Sequence, residues 1–329
     1  MNAPDSMPSP SANALWIAGR YRLLAPIGVG GLGVVYSGWD HELNRPVAVK
    51  RLKERPDASL HALIEESFNE GRALASLRHP HVVRFYDFGI DKAGPYFVME
   101  RIDGETLHER IQGPPVSVNE FCQIARMSLE GLAAAHRLGI IHLDMKPSNI
   151  ILHPTSDGRP SLKLLDFGLS KLHRDVPHEP DQTGSVYGTY LYVAPEQVTL
   201  RPLGPRTDLY SLGHVLYHLL ARQPAFFGPS VPEVLAMHVN QDAPSILNIR
   251  PDMGTGLAIW LHQLMQRDPA RRPESAEEAI LQLSRSERTA AAAAAEQDTS
   301  FLRRVTNQAA TSASDWIGAK LGRGKKKTD

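Results

Sequence analysis

The run His142-Leu143-Asp144-Met145-Lys146-Pro147-Ser148-Asn149 is followed, 17 residues after its asparagine, by Asp166-Phe167-Gly168. Asp144 offers a carboxylate to face a nucleophilic hydroxyl. Asn149 and Asp166 are hard oxygen donors suited to a divalent cation, and Lys146 sits two residues from Asp144, close enough to touch a phosphate. Moving a terminal phosphoryl group needs these groups, because that chemistry is mostly positioning and charge neutralisation.

Working outward, the bulk numbers suit such a site. The 329 residues are 42% hydrophobic, enough for one large domain or two lobes with tails. Thirty-six basic and 36 acidic side chains cancel, so no global field points to nucleic acid or an anionic membrane. The single cysteine, Cys122, excludes an intramolecular disulfide framework and reads as a small buried hydrophobe in a reducing compartment. Met1 to Asn13 is rich in Pro and Ser and lacks a basic-then-apolar leader pattern. No window approaches the roughly 18 apolar residues of a membrane span. A cytoplasmic protein with no transmembrane segment is expected.

Residues 1–20 read as a flexible lead-in. From Tyr21 to Glu100 the pattern is strand-like: Leu23-Leu24 and Val34-Val35-Tyr36 flank a glycine turn, Val47-Ala48-Val49 follows, and Val82–Phe88 and Tyr96–Met99 return to strand composition. One helix interrupts, its apolar residues Leu60, Leu63, Ile64, Phe68, Leu74 and Leu77 recurring mostly at helical spacing. From Gly104 onward the chain is mainly helical. Val118 to Leu138 is periodic and stops at Gly139, and Asp208–Leu220 is a strongly apolar helix. Short apolar segments, Ile140-Ile141, Ile150–Leu152 and Leu162–Leu165, bracket the polar run. Ser275 and Glu278 predict a capping box for a last helix. Beyond it, six alanines at 290–295 and a terminal Lys325-Lys326-Lys327 mark 285–329 as an Ala-rich, terminally basic flexible tail.

Gly28-Val29-Gly30-Gly31-Leu32-Gly33 contains G-x-G-x-x-G, a spacing that dinucleotide-binding folds also use between a strand and a helix. Here β-branched Val34 and Val35 follow and Pro46 comes soon after, so the turn joins two strands. Its small residues let backbone approach phosphate oxygens, and Val35 is placed to cover a base. Lys50 ends the apolar strand Val47–Val49. A phosphate-holding lysine needs a carboxylate to fix its head, and Glu70 is the best placed among Glu65, Glu66 and Glu70.

In order, the Gly-rich loop, Val-Ala-Val-Lys50, Glu70, the 142–149 loop, Asp166-Phe167-Gly168, Ala194-Pro195-Glu196 and Asp208 make the chain resemble a bacterial eukaryotic-like (Hanks-type) serine/threonine protein kinase. The resemblance covers about four-fifths of the sequence. It implies an α+β, bilobal protein-kinase-like fold. A small antiparallel β-sheet N-lobe with one helix would span 21–100, and a larger, mainly helical C-lobe 104–284. It implies ATP and Mg²⁺ as cofactors, with Mn²⁺ an alternative. Asp144 would orient the proton of the substrate hydroxyl, Lys146 would neutralise the γ-phosphoryl, and Asn149 and Asp166 would hold the metal. Lys50 and Glu70 would complete the catalytic set. The nucleotide would lie against Ile27, Gly28, Gly30, Gly31, Gly33, Val35, Ala48, Lys50, Met99, Glu100, Ile102 and Ile151. Of these, Met99 resembles the gatekeeper and Glu100 and Ile102 the hinge. Thr189, after Gly188, would link Asp144 with Lys146, and both features resemble Ser/Thr kinases. Asp208 would anchor the catalytic loop, and Glu196 would pair with Arg272. Leu74, Phe85, His142 and Phe167 resemble the apolar column joining the lobes. His214 and His218, at i,i+4, read as core or edge histidines, since no Glu accompanies them in a zinc pattern.

One position departs from the pattern. Leu143 precedes Asp144 where many regulated kinases carry an arginine that binds an activation-loop phosphate, which leucine cannot do. Activity is therefore expected to depend less on phosphorylation of 169–193, where Thr183, Ser185 and Tyr187 are candidate acceptors and Lys171 and Arg174 candidate partners. In the tail, Phe301, Leu302, Val305, Ala309 and Trp316-Ile317 with the terminal lysines allow weak membrane-surface contact, against the simpler reading of a solubilising segment. The function expected is phosphoryl transfer from ATP to protein Ser/Thr hydroxyls, with autophosphorylation. The alternatives are a pseudokinase scaffold, disfavoured by the complete polar set, and a small-molecule kinase, disfavoured by the Gly188–Glu196 segment. A cognate phosphatase and phosphothreonine-binding adaptors are the partners the resemblance suggests.

Overall fold

A computed structural model describes residues 15–30, 33–52, 75–155, 157–167 and 190–289. Gly31, Glu70, Leu74, Gly168, Lys171, Arg174, Thr183, Ser185, Tyr187, Gly188 and Thr189, most of the helix expected over 60–77, and the tail from 290 lie outside the described residues. The chain divides into two units, residues 1–283 and 284–329. Of the second, the described residues 284–289 are helical, although composition assigned 285–289 to a flexible tail.

The first unit begins with a six-stranded antiparallel sheet: β1 (Trp16–Ile17), β2 (Tyr21–Gly30), β3 (Gly33–Asp40), β4 (Arg45–Leu52), β5 (Phe85–Asp91) and β6 (Gly94–Glu100), in the order β1-β2-β3-β4-β6-β5. Strand alternation sorts its side chains. Val47, Val49, Tyr96 and Val98 join Ile17, Tyr21 and Leu23 in a small outer cluster. Ala48, Leu52, Phe97 and Met99 face the large core that continues into the rest of the unit. Lys50 shares that inner face because side chains on one face recur every second residue.

A second sheet, β7 (Glu105–Thr106), β8 (Ile150–Pro154) and β9 (Pro160–Leu164), is built from two of the short apolar runs within the otherwise helical half. Around it pack α1 (Leu107–Gln112), α2 (Val118–His136), α3 (Pro195–Val198), α4 (Pro205–Ala221), α5 (Val231–Asn240), α6 (Gly254–Leu264) and α7 (276–283 within this unit). The Ser117 hydroxyl caps α2, and Gly139 follows it at φ 72°. Gly131 lets α2 lie on β9: a Cβ there would stand 2.8 Å from Leu164 Cδ1 and 2.9 Å from the His81 carbonyl. The segment leading into β5 meets the second sheet where Val82 bridges Leu164, with Val83 N–H donating to the Leu164 carbonyl at 2.9 Å.

Three local expectations are corrected. Within 1–20, read as a flexible lead-in, Trp16–Ile17 pair with β2 and Ile17 is fully buried in the outer cluster, because its apolar side chain completes that packing. Strand β5 begins at Phe85; Val82 makes only the isolated bridge, since the chain there is turning toward β9. Ser275 does accept the Glu278 N–H at 3.2 Å, but the Glu278 carboxylate accepts from Glu274 N–H instead of closing the box on Ser275.

Candidate active site

Strand register sets the sheet side of the site. Lys50 lies opposite Val35 on β3 and Phe97 on β6, and Ala48 lies opposite Met99. Gly28 pairs with Val35 and Gly30 with Gly33 across the turn. A Cβ on Gly33 would fall 1.9 Å from the Arg51 carbonyl, so only glycine lets β3 close on β4 there. Ala48 and Met99 are buried, Val35 packs against the same core, and Ile102 and Ile151 are half-buried. Ile27 is 55% exposed. Glu100 closes the sheet: its N–H donates to Arg84, while its carboxylate accepts from Lys163 Nζ at 2.8 Å, fastening β6 to β9.

Lys50, 4% exposed, pairs with the Asp166 carboxylate at 2.8 Å. A buried cation tolerates such a place only beside an anion. Asp166 sits at φ 58° and Leu143 at φ 62°, left-handed conformations that cost a non-glycine residue about 1–2 kcal/mol each and survive only where surroundings enforce them. For Leu143 the enforcement is visible. Its N–H donates to Asp208 Oδ1 at 2.8 Å, and its carbonyl accepts from Gln197 Nε2 at 3.0 Å. Asp208, fully buried on α4, also accepts from His142 N–H and lies 2.8 Å from His136 Nε2.

Between these supports stands Asp144. Lys146 Nζ lies 2.9 Å from its Oδ2, and Asn149 Nδ2 donates to both its carbonyl (2.8 Å) and its Oδ2 (3.1 Å). Burial alone would raise the Asp144 pKa, but the charge and hydrogen bond of Lys146, with His142 and Asn149, hold it below the usual carboxylate value. The group therefore stays ionised at neutral pH. Asn149 is oriented by its amide nitrogen, leaving the amide oxygen as a hard donor. His142 Nε2 lies 2.7 Å from the Leu165 carbonyl, and its ring packs on Phe167 at 4.6 Å between centroids. The loops 142–149 and 165–167 are thus one unit, joined again by Leu165 N–H to the Asn149 carbonyl at 2.9 Å.

Farther out, Arg272 holds Glu196 with two bonds of 2.6 and 2.9 Å, both side chains buried. It also donates to the carbonyls of Gln266, Arg206 and Arg267. His214 is buried among Tyr210, Phe226 and His238, and neither of its ring nitrogens has a hydrogen-bond partner among the described residues. His218 Nδ1 lies 2.7 Å from the Tyr192 hydroxyl. Sequence reading missed three contributors: His136, Gln197 and Lys163. Only Gln197 carried a signal, its place directly after Ala194-Pro195-Glu196.

The arrangement can orient a hydroxyl at Asp144, meet phosphate oxygens with Lys50 and Lys146, and offer oxygen donors from Asn149 and Asp166 to a hard cation. Comparison with known proteins places the chain in a family. A model of the protein kinase domain matches residues 21–283. The serine/threonine-protein kinase pkn2 of Myxococcus xanthus is 36% identical over 282 residues, 84% of this chain and 33% of pkn2. The probable serine/threonine-protein kinase PknB of Corynebacterium glutamicum is 35% identical, covering 90% of this chain and 48% of that protein. The chain thus spans about a third to a half of the length of these relatives. In fold it is similar to the kinase domain of Mycobacterium tuberculosis PknI, with a TM-score of 0.64 at 23% identity over 84% of this chain and 100% of that one.

Proposed function

Because the chain belongs to the protein kinase family, we propose that it is an ATP-dependent serine/threonine kinase that transfers the γ-phosphoryl of Mg-ATP to Ser and Thr hydroxyls of proteins, itself included. The observation that carries this reading is the Asp144 carboxylate, held ionised by Lys146 and aligned by Asn149. Asp144 accepts a hydrogen bond from the acceptor hydroxyl and takes its proton as the new oxygen–phosphorus bond forms and the bond from the γ-phosphorus to the β-phosphate oxygen breaks, releasing ADP. Lys146 neutralises charge on the moving phosphoryl. Phosphate oxygens would compete with Asp166 for Lys50, and Glu70, outside the described residues, is the carboxylate that the family pattern assigns to that lysine. Asn149 and Asp166 would hold Mg²⁺, which would supply positive charge to offset the negative charge of the phosphates. Ala48, Met99 and Val35 exclude water around the base, with Glu100 and Ile102 supplying backbone hydrogen bonds. Thr189 narrows the acceptor to serine or threonine.

A cytoplasmic signalling role with a cognate phosphatase and phosphothreonine-binding adaptors belongs to the same proposal, supported by the family and the lone cysteine. Among the described residues no helix is long and apolar enough to cross a membrane.

The test is transfer from labelled ATP to the protein itself and to a generic basic protein, with Asp144→Asn and Lys50→Met alongside. Wild type should exceed Asp144→Asn by about 10²–10⁴-fold, the usual worth of a positioned general base. Equal transfer by all three proteins would overturn the reading.

A further inference from the structure

We infer that Gln197 is a positioning residue that couples the catalytic loop to the segment carrying Ala194-Pro195-Glu196. The inference rests on the kinase reading above. The Gln197 amide has one orientation that satisfies both its neighbours. Its oxygen accepts the Ala194 N–H at 3.0 Å and its nitrogen donates to the Leu143 carbonyl at 3.0 Å. One planar group therefore ties two stretches 54 residues apart.

Leu143 is the pivot. It holds a left-handed conformation immediately before Asp144, with its N–H fixed by Asp208 and its carbonyl by Gln197. Rotation of that peptide would swing the Asp144 carboxylate away from a bound hydroxyl, and a misplacement of about 1 Å can cost on the order of 10²-fold in rate. The leucine side chain has no charge with which to read a phosphate. The tie through Gln197 is made between neutral amides. Gln197 acts on Asp144 through the backbone.

Gln197→Glu separates the two bonds. The carboxylate still accepts from Ala194 N–H, but it sets an oxygen against the Leu143 carbonyl where a donor stood. With the purified 329-residue chain and a peptide substrate, kcat should fall about 10-fold or more. The KM for peptide and the affinity for ATP should stay within about threefold. Backbone amide exchange at 143–145 should quicken, a readout that does not depend on turnover. Gln197→Met, similar in size but unable to make either bond, should quicken the same amides and lower kcat likewise. Wild-type kcat and wild-type exchange in a folded Gln197→Glu protein would overturn the proposal. If Gln197→Glu does not fold, unchanged exchange in Gln197→Met would do so. The underlying reading fails separately, if wild type transfers no more phosphate than Asp144→Asn; the exchange measurement then still decides whether Gln197 positions the loop.

Discussion

At Asp144 two effects oppose each other, and the local charge wins. Burial favours the neutral acid, whereas Lys146 at 2.9 Å favours the carboxylate, and the balance lies below the ordinary pKa. Replacing Lys146 by Met removes the larger of the lowering influences, so the carboxylate should hold its proton to higher pH. The acid limb of kcat/KM against pH should then move upward relative to wild type, with kcat itself reduced; an unmoved limb would show that Lys146 does not set the ionisation. That two carboxylates, a lysine and an asparagine lie along 142–166 was legible from residue type and spacing. Their immediate partners were not, because Lys50 and Asp166 meet only when the sheet folds over the loop.

Elements lock to one another through buried polar contacts and through missing side chains. Arg272 satisfies Glu196 and three carbonyls at once, so Glu196→Gln or Arg272→Ala leaves a buried charge uncompensated. A loss of about 3–5 kcal/mol is expected, readable as a lowered urea midpoint at unchanged slope. Gly131 tests whether local propensity or packing rules. In an isolated helix, Gly131→Ala would gain about 0.5–1 kcal/mol. Here the added Cβ meets the His81 carbonyl, backbone that yields only if α2 shifts from β9, and overpacking of that kind costs about 1–3 kcal/mol. The variant should therefore be less stable than wild type by thermal melting. The helix containing Gly131 was readable from its period; the reason for the glycine was not, since β9 lies 30 or so residues on in sequence.

Across the whole molecule, acid stability depends on histidines the fold keeps neutral. Burial holds His218 and His238 at about 4, and His214 well below its ordinary value. Below about pH 6.5 the unfolded chain binds protons that the folded chain does not. Stability is therefore full above that pH and falls as pH drops toward 4, by up to about 1.4 kcal/mol per pH unit for each such group. His214→Phe keeps an aromatic ring among Tyr210, Phe226 and His238 and removes one titrating site. Its denaturation midpoint should fall less steeply between pH 6.5 and 5 than that of wild type. Identical slopes would remove His214 from the account.

Sequence alone determined the fold class, the order of strands around the glycine turn and the kinds of groups gathered at 142–166. The strands and the groups follow from periodicity, turn chemistry and short-range spacing, and the fold class from the family resemblance that the ordered motifs carry; all of these the chain carries wherever it goes. Tertiary structure decided which charges meet and which backbone is held. Asp208 reaches His142 and Leu143 across 66 and 65 residues, Gln197 reaches Leu143 across 54, and Lys163 fastens Glu100 across 63. A hydrogen bond is worth making only at one distance and angle, and those are set by how α3, α4, β6 and β9 pack, not by any stretch read in isolation.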